Sequence, residues 1–244
     1  MSNVALCVAG QARAVAENFE CIKRCILDPL QPDVFVHTWH APEDEGGAYP
    51  QNPDALLDLY RPQISAVDPL QSFERHDFDA ITEPTGDLLD WHFQRINSMY
   101  YSIWAANALK QSAESLYGFK YDWVIRCRTD VILDGVLDLG RRDPSAMYLH
   151  IQDLELGPRC NDIFSFSNSK NMDAYAQTFL NMGRIMREIG VMSSTQILTH
   201  QIKIIAGIED VRESPLTHEG FYREGNINEQ VNKDLIAGKV PKIK

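Results

Sequence analysis

The 244-residue sequence lacks a long apolar run, a Cys-x-x-Cys pair and any excess of basic residues. Its N-terminal apolar run, residues 4–9, is too short for a spanning helix and has no basic start of a signal peptide, so no transmembrane segment is expected. The five cysteines are odd in number and scattered, which fits a reducing, cytoplasmic location better than a disulfide framework. Cys21 and Cys25 stand one helical turn apart and read as helix packing. A formal charge of −11 argues against a nucleic-acid partner, because phosphate backbones demand clustered Lys and Arg. A small anionic ligand stays open, since a few cations can gather in one cleft of an acidic protein. The glycine spacings of a P-loop or a dinucleotide fingerprint are missing, as are a local Ser-His-Asp motif and a catalytic cysteine signature.

What is present reads as alternating strands and helices. With 44% hydrophobic and 23% charged residues, well mixed, the chain can bury a sizeable core as one domain over 1–244. Residues 3–9 form an apolar run ended by Gly10, the pattern of a strand buried on both faces. A helix over 14–27 follows from the spacing of Val15, Phe19, Ile22 and Ile26, with Pro29 expected to end it. A second strand is expected over 33–39, an exposed loop over 41–53, a short helix over 54–60 and a third strand over 63–67. Residues 68–90 read as irregular. Residues 91–117, free of Pro and Gly, predict the longest helix, with Ile96, Met99, Tyr100, Ile103, Leu109 and Leu116 as its buried stripe. Further strands are expected over 121–128, 146–152 and 162–167, and helices over 171–189 and 194–206. Such alternation implies a mostly parallel α/β sheet.

The strand end Arg126-Cys127-Arg128-Thr129-Asp130 carries the strongest functional signal. If the extended conformation persists through Thr129, Arg126, Arg128 and Asp130 share one face. Charges beside an apolar strand are costly unless paired or bound to a ligand, and guanidinium forks match phosphate oxygens. An internal ionic network, in which either arginine pairs with Asp130, Asp134 or an acidic helix, is the alternative. Gly10, Gln11 and Arg13 lie at another strand end, where a following helix offers free amides to an anion. Trp39 is either a stacking ring or a core anchor. His37 and His40 point to different faces and do not suit a shared metal. Asp162 is a candidate general base, Asn168 or Ser169 a helix cap, and His200 a core histidine.

The segments 4–13, 33–39 and 121–130, with Asn97-Ser98-Met99-Tyr100-Tyr101-Ser102-Ile103 and residues 161–169, together resemble a family of small glycosyltransferase-like proteins of surface-polysaccharide gene clusters and some viruses. The resemblance reaches to about residue 206. It implies a GT-A-like fold, with a Rossmann-type, mostly parallel central sheet flanked by helices. It further implies a nucleotide-sugar donor, a glycan or glycolipid acceptor, and donor contacts at Asn97 and Tyr100. Where such enzymes hold a divalent cation with Asp-x-Asp, this chain has Arg128-Thr129-Asp130. Asp130 is thus the candidate ligand for Mg2+ or Mn2+, while Arg128 offers a fixed positive charge to the departing diphosphate. Arg128, Asp130 and Asp162 are the expected catalytic set, and Gly10, Gln11, Arg13, Trp39, Arg126, Asn97 and Tyr100 the donor set. A catalytically silent module binding sugar nucleotides or glycans is the competing reading.

Overall fold

Six apolar residues in a row give β1 (Val4–Ala9) no face that favours water, and the sheet is built outward from it. The computed structural model describes residues 2–40, 53–74, 87–154 and 157–221. β1 pairs in parallel with β2 (Asp33–His40) on one side and with β4 (Trp123–Cys127) on the other. Beyond β2 lies parallel β3 (Ile64–Pro69). Beyond β4 come antiparallel β7 (Gly157–Ser167), then β6 (Met147–Leu154), then short β8 (Val211–Glu213). The resulting seven-stranded sheet has the order β3-β2-β1-β4-β7-β6-β8, and β7 alone runs against the rest. β5 (Val131–Asp134) and β9 (Thr217–Phe221) form a separate antiparallel pair.

Helices cover both faces, as a mostly parallel sheet requires. Leu6 and Val8 of β1 join one core with Ile22 and Ile26 of the first helical segment and Leu56 of α3 (Asp54–Tyr60). That first segment runs as α1 (Val15–Ile22), a π-helical turn Lys23–Leu27, and α2 (Asp28–Leu30). Ala5, Cys7 and Ala9, alternating with the first set, meet Ile96, Tyr100 and Ile103 of α4 (Asp87–Tyr117) on the opposite face. α5 (Ser169–Ala176), α6 (Thr178–Ile189) and α7 (Ser194–His200), the last continued by a π-helical turn Gln201–Ile205, complete that second layer. Each fully buried side chain of this size contributes roughly 1.5–3 kcal/mol.

Several expectations change in detail. The first helix does not stop before Pro29; it passes through that residue, which stands in the first turn of α2, and ends at Gln31 in a left-handed turn (φ 45°). Residues 91–117 belong to one 31-residue helix that starts earlier, at Asp87. Leu116 is 74% exposed, and the buried stripe continues through Ala106, Lys110 and Ala113 instead. The helix expected over 171–189 is two helices that meet at Gln177, where the buried Thr178 hydroxyl donates to the Tyr175 carbonyl (2.6 Å) and competes with the helical ladder. Asn168 caps α5 as expected, accepting from the Asn171 amide at 2.8 Å. His200 is not a core histidine, since it pairs with Glu188 (2.8 Å) at the surface. Cys21 and Cys25 are buried packing residues whose thiols approach the Leu133 carbonyl. All five cysteines are free and buried. Among the described residues no helix is long and apolar enough to cross a membrane. The loop expected over 41–53, save Pro53, and the C-terminal lysines lie outside the described residues.

The chain lays down β1, β2 and β3 outward in one direction, then returns through α4 to place β4 on the other side of β1. The strand order therefore reverses between β1 and β4. The crevice beyond the carboxyl ends of strands at such a reversal is where open α/β sheets bind ligands.

Candidate active site

A cleft of about 460 Å³ opens at that reversal. Ala9, Gly10, Gln11 and Arg13 line it after β1, Trp39 at the end of β2, and Arg126, Arg128 and Asp130 at the end of β4. Gly10 adopts φ 121°, and a Cβ there would meet nothing within 4 Å, so the position needs glycine for its backbone rather than for space. The loop it starts is stapled to the end of β4. Thr129 donates its hydroxyl to the Gln11 carbonyl (3.0 Å) and accepts from the Arg13 amide (3.3 Å). The buried Asn18 amide reaches the carbonyls of Thr129 (2.9 Å) and Val131. Thr129 and Asn18 thus hold two cleft-lining loops together.

Arg126 and Arg128 differ in their partners. The chain turns at Thr129 and Asp130 instead of staying extended. That turn brings the Asp130 carboxylate back onto Arg128, whose Nε and Nη2 each donate at 2.7 Å. Burial would ease proton loss from Arg128, but Asp130 and then Asp162 hold it above its ordinary range. Arg126 is 2% exposed and occupies the β4 position opposite Cys7 and Ser165. Its Nε and Nη1 have no hydrogen-bond partner among the described residues. A buried donor left unmade costs about 1–3 kcal/mol, more for a charged group.

Asp162 comes from the one reversed strand. The register that sets Cys127 against Phe164 carries β7 past the end of β4, so Asp162 stands beside the 128–130 turn. It is 7% exposed, lines the cleft, and makes no hydrogen bond or ion pair among the described residues. Its charge also reaches Tyr100, whose phenol is pushed well above 10, first by burial and then by Asp162.

Asn97 and Tyr100, expected at the donor, do not line the cleft. Asn97 is buried with its amide on the Phe93 carbonyl (2.8 Å), and Tyr100 donates to the Ser194 carbonyl (2.7 Å). Asn97 bonds within α4, and Tyr100 ties α4 to the cleft-lining Ser194. Trp39 lines the cleft but is only 1% exposed, packed edge-on against His37 and tilted against Tyr101, which makes it a wall. His37 is closed as well, against Ser102 (2.7 Å) and Asp68 (3.2 Å).

The sequence reading missed the far wall. Trp91, Gln94, Arg95 and Ser98 line the cleft from the first turns of α4. Their spacing of three and four residues puts them on one helical face, and that periodicity was a readable signal. Trp91 is 57% exposed, with the Arg95 guanidinium 4.8 Å from its ring centre. Gln94 holds both the amide (2.8 Å) and the carbonyl (2.9 Å) of Phe73, which pins the segment carrying Leu70 and Gln71 to the cleft.

A divalent cation does not fit this donor set. Both Asp130 oxygens already accept from Arg128, and among the described residues no group of three His, Cys, Asp or Glu side chains could hold a metal. Mg2+ and Mn2+ sites need several oxygen ligands around one point. In this arrangement Asp130 pairs with Arg128 in a two-point fork, and among the described residues it has no group of further His, Cys, Asp or Glu ligands around it.

No protein-family model matches the chain, and no curated protein matches its sequence. Among solved structures, the chain is similar to a glycosyltransferase involved in glycosylation of the major capsid of PBCV-1, at 9% identity and a TM-score of 0.41, covering 97% of this chain and 99% of that one. It is also similar to the glycosyltransferase GlyE of Streptococcus pneumoniae TIGR4, at 12% identity and a TM-score of 0.42, covering 87% of this chain and 45% of that one.

Proposed function

We propose that this chain is a glycosyltransferase that moves a sugar from a nucleoside-diphosphate donor to a glycan or glycolipid acceptor. The observation that carries the reading is Arg126, a buried guanidinium with two unmade donor bonds in the wall of a cleft at the strand-order reversal. Unmade donors call for an anionic oxygen, and a diphosphate supplies several in the bidentate spacing a guanidinium prefers. The Gly10 to Arg13 loop offers further backbone and side-chain donors.

The exposed Trp91, with Arg95 over its ring, offers a platform for the nucleobase at the mouth of the cleft. In transfer, the bond from the sugar's anomeric carbon to the diphosphate oxygen breaks and the electron pair leaves with the diphosphate. Arg126 and Arg128 stabilise that charge. The acceptor hydroxyl forms the new bond and gives its proton to Asp162. Asp130 acts through Arg128, fixing the plane of its guanidinium.

Thermal unfolding against a panel of nucleoside-diphosphate sugars is the first test, because a ligand of the native state raises the transition. At least one donor is expected to do so, and mass spectrometry of the same mixture with glycan or glycolipid acceptors should find transferred sugar. Asp162→Asn should keep donor binding and lower transfer by ~10²–10⁴-fold. Binding with no transfer and no donor hydrolysis under any acceptor would select the silent binding module instead. A panel with no shift at all would remove the assignment.

A further inference from the structure

We infer that the donor diphosphate is held here by arginines alone, so that binding and transfer need no divalent cation; this rests on the nucleotide-sugar reading above. Among the described residues the cleft is lined by four arginines, Arg13, Arg95, Arg126 and Arg128, and two carboxylates, Asp130 and Asp162. Its charge already complements a diphosphate, whereas a metal-assisted site usually gathers carboxylates to hold the cation.

The hydrogen bonds that remain unmade call for an acceptor. Nε and Nη1 of Arg126 are donors without partners among the described residues. A cation cannot satisfy an N–H group; an oxyanion can. Releasing Asp130 to a metal would also strip Arg128 of its fork, leaving a second guanidinium without that partner beside the incoming cation. Like charges at that separation repel, most strongly away from bulk water. Among the described residues Asp162 is then the one lining carboxylate not engaged by an arginine fork, too few for a dedicated site.

The Arg128–Asp130 pair therefore does the work a bound cation would do. It presents an oriented guanidinium to the leaving oxygens without needing an ion from solution. Asp130 is a positioning residue in this scheme, and its removal should loosen Arg128 rather than unload a metal.

The test uses the full chain stripped with EDTA. Calorimetric titrations with uridine, guanosine, adenosine and cytidine diphosphates are run in EDTA and again in Mn2+. The nucleotide that binds is expected to show the same Kd in both buffers to within about twofold, and Arg126→Met should weaken it by about a hundredfold without rescue by Mn2+. Paramagnetic resonance of Mn2+ alone with the protein should report only free ion. Binding that appears only with Mn2+, or tightens by about tenfold or more, would overturn metal independence and leave the donor reading standing. No binding in either buffer would overturn both.

Discussion

On α4, beside the segment that leads into β4, Lys110 is fully buried, and its ammonium donates to Ser169 (2.7 Å), Asp173 (2.6 Å) and Glu114 (3.2 Å). At the end of the same strand, Arg126 is equally buried with two donors unmade. The first cluster is closed on itself. Glu114 accepts further from Ser169, Lys120 and the Tyr121 amide, and although burial would raise its carboxyl, those contacts hold it below its ordinary 4.5. Beside it lies an open groove of about 550 Å³ lined by Lys120, Ser169 and Asp173, where Asp173 pairs with Lys110 and Lys120 with Glu114. Buried charge with every bond made is architecture, and buried charge with bonds left over calls for an explanation, which the proposed donor supplies.

Breaking the closed end should produce the largest effect on stability. Lys110→Met leaves Glu114 and Asp173 without their buried cation and should cost about 3–5 kcal/mol in denaturant unfolding. A loss under 1 kcal/mol would show that the closed cluster contributes little. On the open side, Trp91→Ala should weaken nucleoside-diphosphate-sugar binding by about 1–3 kcal/mol with little change in the unfolding midpoint. Equal weakening toward inorganic phosphate would deny Trp91 a role with the base.

A smaller effect concerns His37, a third buried polar set that lies behind the cleft. Burial pulls its pKa below the ordinary 6.5, outweighing the pull of Asp68. A folded pKa depressed in this way gives stability that is present above 6.5 and lost as pH falls through the folded value. The stability gap between the native chain and His37→Gln should therefore narrow as pH falls below 6.5. A gap independent of pH would show that His37 does not titrate with folding.

Much of this was legible before the structure. The apolar runs of β1 and β4 marked buried parallel strands, and the charged end of β4 marked the cleft, because both signals are local in the chain. The short strands β5, β8 and β9 went unread because their pairing is decided by distant partners. Lys110 was invisible within the long helical pattern, since the residues that satisfy it include Ser169 and Asp173, about 60 positions away. The turn at Thr129 and Asp130 was missed for a different reason. Alternation was extended one residue too far, so Asp130 was expected to face a ligand beside Arg128 rather than to hold it.

The central claim is that Arg126 is kept charged and unsatisfied for a ligand's oxygens. Arg126→Met, close in volume and apolar, separates that claim from a structural role in one paired experiment: thermal unfolding and calorimetric titration of the same variant. The account predicts an unfolding midpoint at or above that of the native chain, because an uncompensated buried charge has been removed, together with loss of nucleoside-diphosphate-sugar binding. A variant that binds as tightly as the native chain, or one that unfolds several degrees earlier, would contradict it.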